Sequence, residues 1–360
     1  QDQALEVAQG LQGGLLPCGP GQGLQLPVGD PPEVHGPEGT TLIASVDVEK
    51  TRQKVIEVEP GDTSGSLFGL AVDIGTTSLS FHLLDLHTGE ERAVSSRPNP
   101  QMAFGADVIS RIKHVDDEGQ AGLTQLQQLL LEGINASIQR VCRKARVSPS
   151  RVYAASLVGN PTMMHLFAAI DPSHMGHSPY VPVLGEGFTT SASELGLAIH
   201  PEGVVFVPPA VSGFVGADVV AGVLCSGMHR REELSLFVDV GTNAELVLGN
   251  RNELLAYSMP AGPAFEGAEI RHGMRAIPGA ISHIALQGDP PTLEVIGGVA
   301  PRGICGSGLI DLVAELVRVG LVDRKGTLRP HRGSGLSRRV SRAGKGQHRF
   351  RVVDGPRPVD

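Results

Sequence analysis

Two stretches of the chain share one pattern of apolar and polar positions: LAVDIGTTSLSFHLLDL, starting at Leu70, and LFVDVGTNAELVLG, starting at Leu236. In each, a nearly continuous apolar run ends in Asp-x-Gly-Thr and a second run follows. An unbroken apolar run is what a central strand needs when both faces of its sheet are covered. The second run alternates, and the turn sequence DLHTGEE ends it in the first copy, so each copy reads as a β-hairpin on the edge of a mixed sheet. The same periodicities predict strands over 67–74, 79–86, 152–158, 204–207, 234–240 and 245–248. They predict helices over 123–145, 162–169, 217–228 and 309–319. Strands alternating with helices make this an α/β protein, and the repeat predicts two related lobes.

Toward the ends the pattern weakens. Residues 1–66 are rich in Gly, Pro and Gln. Within them TTLIASVDVEKTRQKVIEVEPGD offers two short alternating runs able to pair, while PCGPGQGLQLPVGDPPEVHGPEG reads as linker. From His331 the chain is rich in Arg with little apolar periodicity, a solvated extension or the start of a further domain. Because the chain also begins at Gln1, it reads as a fragment missing segments at both ends. The expected division is 1–66 as linker and remnant of a small middle domain, 67–230 as the first lobe, 231–330 as a partial second lobe, and 331–360 as tail.

Composition narrows the function more than the fold. A chain of 360 residues, 41% of them hydrophobic, can bury a large two-lobed core. A net charge of -8 argues against nucleic acid as a partner. No run of eighteen apolar residues and no basic-then-apolar start is present, which argues against membrane spanning and secretion. Cys18, Cys142, Cys225 and Cys305 lie far apart with no CxxC pair, so neither a disulfide framework nor a zinc site is indicated. A reducing, cytoplasmic setting fits them best.

The repeated hairpin carries the candidate chemistry. A turn that brings backbone N–H groups close to a phosphate needs glycine, because a Cβ blocks the approach, and Gly75 and Gly241 supply it. Asp73 and Asp239 end apolar strands and would present carboxylates for a hard cation such as Mg²⁺ or for orienting water near phosphates. Thr76, Thr77, Thr242 and Asn243 follow, all able to bond phosphate oxygens. An ordinary strand-ending Asx turn explains one copy as well; two copies in matched contexts favour a nucleotide cleft. Gly306, Ser307 and Gly308 precede an apolar helix and could hold an anion, with a plain Ser N-cap as the alternative. Gly159 and Asn160 end a strand, with Pro161 opening a helix. Glu266 and Glu269 sit three apart on a candidate helix. His165 and His283 read as hydrogen-bonded core histidines, and Met163, Met164 and Phe167 as helix core.

The paired hairpins resemble the two phosphate motifs of the acetate kinase, sugar kinase, heat-shock chaperone and actin (ASKHA) superfamily. Five further segments narrow the match: NPQMAFGADVISRI, LVGNPTMMHLF, FVGADVVAGVL, AGPAFEGAEIRHGMRAIPGAI and GICGSGLIDLVAEL. Together they are similar to the reductive activators of corrinoid-dependent enzymes, over about residues 67–328. The resemblance implies an actin-like, ribonuclease H-like fold of two lobes closing on ATP and Mg²⁺, with Asp73 and Asp239 on opposite walls and Gly159 and Asn160 at the hinge. It implies ATP-driven reduction of Co(II) to Co(I) in a partner corrinoid protein or corrinoid-dependent methyltransferase, with electrons from an N-terminal [2Fe-2S] domain; a homodimer is left open. A ferredoxin-type cluster needs C-x₄-C-x₂-C and a distant fourth cysteine, and this chain has no such spacing. The family's adenosine-binding glycine turn has no counterpart before Asp360, and Ala244 stands where the family usually has Gly. The alternative reading is an actin-like nucleotide- or partner-binding module without redox turnover. A small-molecule kinase fits less well, because no catalytic base and substrate loop of the sugar-kinase type is evident.

Overall fold

The computed structural model describes residues 15–18, 40–47, 52–63, 65–241, 243–262, 264, 270–329, 335–344 and 347–354. By contact density the chain divides into two units, Gln1–Phe237 with Val247–Tyr257, and Val238–Leu246 with Ser258–Asp360.

The first unit begins with a three-stranded sheet of β1 (Leu15–Cys18), β2 (Thr40–Asp47) and β3 (Arg52–Pro60). The two alternating runs near the N-terminus thus pair, antiparallel, as β2 and β3. A six-stranded sheet follows, built from β4 (Phe68–Ile74), β5 (Ser78–Asp85), β6 (Glu91–Pro98), β7 (Val152–Gly159), β8 (Phe188–Ser191) and β9 (Val204–Val207). Its spatial order is β6-β5-β4-β7-β9-β8. β4 runs antiparallel to β5 and parallel to β7, so the β4–β5 hairpin lies inside the sheet and not on its edge. The outer strand is β6, sequence ERAVSSRP, whose charged and exposed positions suit an edge and hide it from a search for apolar runs.

Four helices accompany this sheet: α1 (Val108–Glu118), α2 (Gln120–Ala145), α3 (Pro161–Phe167) and α4 (Ala217–Ser226). Leu123, Leu126, Leu130, Ile134, Ile138 and Val141 recur at three- and four-residue steps along α2 and bury one stripe. That stripe packs on Leu70, Val72, Ile74, Leu79, Phe81, Leu83 and Leu157, forming the main core. Met163, Met164 and Phe167 are buried in the same core, as expected. The opposite face meets α4 through Val158, Ala217 and Ala221, and meets β3 through Ile56, which packs with Leu67, Leu86, Tyr153 and Ala154. α1 escapes the periodicity because only Ile112, Val115 and the polar Arg111 are buried on it. Its start is marked by a reciprocal capping box between Asp107 and Ser110.

The second copy of the hairpin forms β10 (Ser235–Val240) and β11 (Asn243–Gly249), with β12 (Leu254–Pro260) completing a sheet of order β10-β11-β12. β10 was expected to be covered on both faces. Among the described residues it has β11 on one edge only, and Leu236, Val238 and Val240 are exposed. Parts of these three strands fall in each unit, and the second unit also holds β13 (Ala280–Ala285), β14 (Thr292–Val295), β15 (Gly303–Ile304), α5 (Gly306–Arg318), β16 (Val340–Gly344) and β17 (Gln347–Phe350). Ile281, Ile284, Ile304, Leu316, Leu321, Leu336, Phe350 and Val352 make its core. Residues 335–344 and 347–354 are therefore not a solvated extension: Leu336, Phe350 and Val352 are buried, and Arg339 is buried against Asp289 and Asp354. Arginines mask this segment's few apolar anchors. No helix among the described residues is long and apolar enough to cross a membrane.

Candidate functional site

Gly75, Thr76 and Thr77 join β4 to β5. A Cβ on Gly75 would lie 2.6 Å from the Ser78 carbonyl oxygen, so the turn's own closure requires glycine before any ligand is considered. Three successive carbonyls of this turn are tied into the protein. The Asn99 side-chain amide donates to Gly75 O at 2.8 Å, the Asn99 backbone N–H donates to Thr77 O at 2.9 Å, and Arg111 Nη2 donates to Thr76 O. Asn99 is itself fixed, accepting on Oδ1 from the Gln101 N–H at 3.0 Å. In a planar trans peptide C=O and N–H point opposite ways. Anchoring the Gly75 and Thr76 carbonyls on Asn99 and Arg111 therefore turns the N–H groups of Thr76 and Thr77 to the opposite side of the turn.

Asn160 brings a second segment to the turn. It caps α3, accepting from the Met163 N–H at 3.0 Å, and its Nδ2 donates to Thr76 Oγ1 at 2.8 Å. Gly159 permits this approach: a Cβ there would stand 2.7 Å from Ile74 O. A third segment closes in at Gly216, where a Cβ would meet Gly159 O at 2.6 Å. The first turn, the β7–α3 junction and the start of α4 thus converge. Asp73, half-buried on β4, has Ser80 and Val158 as its register partners. From Ser80 a polar line continues to His82, whose Nδ1 meets Glu91 at 2.7 Å. Sequence reading missed Asn99, Gln101, Arg111 and His82. The available signals were the polar positions within NPQMAFGADVISRI and the every-second-residue spacing of Ser78, Ser80 and His82.

His165 is a hydrogen-bonded core histidine, as expected. Its Nδ1 lies 2.7 Å from Pro161 O, and Nε2 accepts from the Val183 and Leu184 N–H groups at 3.1 and 3.0 Å, which fixes a neutral ring with the proton on Nδ1. Burial holds its pKa below the ordinary value. A depressed folded-state pKa means that the unfolded chain binds the extra proton first, so this contribution to stability is full above about pH 6.5 and is lost as pH falls through the folded value. Thermal midpoints at pH 8 and pH 5.5 should show a clear acid loss in the parent and a smaller one in His165→Gln. Equal losses would remove His165 as the cause. His283 differs from expectation: it is half-exposed and pairs with Asp311.

The second copy lies in part in the second unit. β10 ends at Val240 and β11 starts at Asn243, with the Gly241 N–H donating to Asn243 O at 2.9 Å. Thr242, Glu266 and Glu269 lie outside the described residues. Asp239 is joined by a carboxylate that sequence reading did not single out, Glu245, whose Oε1 accepts from Ser258 at 2.9 Å. Burial pushes both carboxyls upward, and the Asp239 charge adds to the rise at Glu245. Such a pair offers the few oxygens that Mg²⁺ takes from protein while keeping waters and phosphate. At α5 the N-cap residue is Cys305, whose thiol donates to Ile281 O at 3.3 Å and makes no capping bond, and Ser307 Oγ donates to Ser282 O at 2.8 Å, so Ser307 is not the cap. A Cβ on Gly308 would collide with Ile281 O, so this glycine lets the helix pack on β13. Among the described residues no group of three or more His, Cys, Asp or Glu could hold a metal ion, and Cys142, Cys225 and Cys305 carry thiols. These residues do not fit an iron–sulfur cluster.

Comparison with known proteins completes the assignment. Residues 68–231 match the RACo middle region, and residues 233–356 match the C-terminal domain of RACo, the ASKHA domain. The chain is 38% identical over 260 residues to the corrinoid activation enzyme RamQ of Eubacterium limosum, covering 72% of this chain and 43% of that protein. It is 28% identical over 301 residues to the [Co(II) methylated amine-specific corrinoid protein] reductase of Methanosarcina barkeri, covering 72% of this chain and 52% of that protein. A solved reductive activator for corrinoid, iron-sulfur protein superposes with TM-score 0.77 at 38% identity, over 89% of this chain and 51% of its own. The chain thus spans about half the length of the relatives it matches. Two adjoining domain matches, in the order the motifs predict, with a mixed α/β fold that superposes on a solved activator, mean that the chain belongs to the RACo family of corrinoid reductive activators.

Proposed function

We propose that this chain is the nucleotide-handling part of an ATP-dependent activator that returns the Co(II) corrinoid of a partner protein to Co(I). The observation that carries the reading is the 38% identity to RamQ over 260 residues. Physical support comes from the first turn, whose tied-down carbonyls leave N–H groups aimed outward for phosphate. Asp239 and Glu245 would hold Mg²⁺, which supplies charge neutralisation on the phosphates; Asp73, in the first lobe, would hold a cation or orient water. Gly241, Thr242 and Asn243 would be the second phosphate turn, with Gly306, Ser307 and Gly308 as a further anion contact, and Gly159 and Asn160 would lie at the hinge between lobes. The electron would come from a [2Fe-2S] centre that the described cysteines do not hold. The partner is a corrinoid protein or corrinoid-dependent methyltransferase, in the cytoplasm.

The test is a calorimetric Mg-ATP titration of this chain and of the longer reading frame containing it, followed by corrinoid-coupled ATP hydrolysis on the longer protein. We expect weak binding by this chain, tighter binding by the longer one, and hydrolysis that rises with Co(II) corrinoid protein. Nucleotide binding without corrinoid-coupled turnover would replace the activator reading with a partner-binding module.

A further inference from the structure

Arg111 is wholly buried, yet every acceptor it meets is neutral. Nε donates to Gly105 O at 3.1 Å, Nη1 to Gln101 Oε1 at 3.1 Å and to Met163 Sδ at 2.9 Å, and Nη2 to Thr76 O. Among the described residues no carboxylate is within ion-pair distance of it. The carboxylate that attracts it from further off, Asp107, is committed to the Ser110 N–H at 2.7 Å and to Ser110 Oγ at 2.8 Å. Burial lowers the guanidinium pKa to about 10, which leaves it charged at neutral pH. A desolvated charge facing only dipoles is costly, and a core built for stability alone would pair it or replace it with an apolar side chain. What distinguishes this charge is its place: directly behind the Gly75–Thr77 turn, on the carbonyl side.

We propose that Arg111 is a positioning residue that supplies the buried counter-charge for an anionic phosphate group received on the outer face of the Gly75–Thr77 turn. The inference rests on the reading above that this turn takes phosphate. The peptide between Thr76 and Thr77 lies with its carbonyl on the guanidinium and its N–H pointing away, so the cation polarises a donor aimed at the ligand without touching the ligand. Asn99 sets the preceding peptide the same way, through Gly75 O. The charge therefore acts across aligned peptide dipoles in a low-dielectric setting, where it is screened far less than a surface lysine would be. It also keeps the turn rigid, so little reorganisation accompanies binding.

The test uses this chain with inorganic pyrophosphate as probe, comparing the parent with Arg111→Lys, Arg111→Gln and Arg111→Met by calorimetry. Amide chemical shifts of Thr76 and Thr77 locate binding, and thermal unfolding without ligand reports stability. Arg111→Lys keeps the charge without the planar fork. Arg111→Gln keeps a donor of similar placement without the charge. We expect Arg111→Lys to stay within about threefold of the parent, and the two neutral variants to bind about tenfold more weakly, since a bond to a charged group exceeds a neutral one by roughly that factor. The unliganded neutral variants should unfold no more easily than Arg111→Lys. Equal loss in Lys, Gln and Met variants, or loss that tracks unfolding temperature, would reduce Arg111 to a structural prop. A neutral variant that binds like the parent overturns the inference alone. A parent whose Thr76 and Thr77 amides do not respond to pyrophosphate overturns the phosphate reading of this turn and the inference with it.

Discussion

Replacing Asp239 with Ala is expected to cut corrinoid-coupled ATP hydrolysis in the longer reading frame by about 10²–10³-fold, the usual effect of deleting one electrostatic contact to a transition state. Asp239 lies on the edge strand β10 and is half-buried, so its loss removes charge and not core volume. Burial is the main reason the Glu245 carboxyl is raised and the Asp239 charge adds to it, so Asp239→Ala should lower the Glu245 pKa in part while burial keeps it raised. The check pairs hydrolysis rates with circular dichroism and with a carboxyl titration of Glu245. Parental hydrolysis in a folded Asp239→Ala protein would take Asp239 out of the catalytic assignment.

Glu59→Ala should produce the largest loss of stability in the first unit. Glu59 is buried on β3 and accepts from Arg151, from the Tyr153 hydroxyl and from Thr63 Oγ1. Removing the shared acceptor strands a guanidinium and a buried phenol at once, at a cost of about 3 kcal/mol. Burial and the neighbouring Glu59 both push the Tyr153 pKa upward, so the phenol keeps its proton and cannot compensate by ionising. Glu59→Gln, which retains an acceptor, should lose roughly half as much. Urea unfolding and hydrogen exchange along 52–60 measure this. Because Glu57 also meets His200 at 3.1 Å, β3 is held to the sheet at two points, and exchange should rise first near Glu59. Unchanged exchange and midpoint in Glu59→Ala would show that Ile56 packing alone anchors the strand.

The repeat of Asp-x-Gly-Thr, the α/β class and the α2 stripe were legible in the sequence because they depend on neighbours. Period two and period three-to-four are properties of local backbone geometry, and Leu126, Leu130 and Ile134 declare their face whatever they pack against. The same holds for strand β7, where all eight positions are buried and the run VYAASLVG is apolar apart from one serine. Asn160 was also found locally, since a strand end followed by Pro marks a helix start.

The tertiary structure decided what lies at distance. Nothing near Arg111 in the sequence indicates that its guanidinium reaches Thr76, thirty-five positions earlier, or that Asn99 fixes Gly75, because those bonds exist only once α1 has docked beside the β4–β5 hairpin. An arginine in a polar helix reads as solvated unless its partners are known, and here the partners are backbone carbonyls, which every sequence contains equally. The position of β6 at the sheet edge was hidden for a related reason: its charges describe exposure to water, and only pairing with β5 makes it a strand.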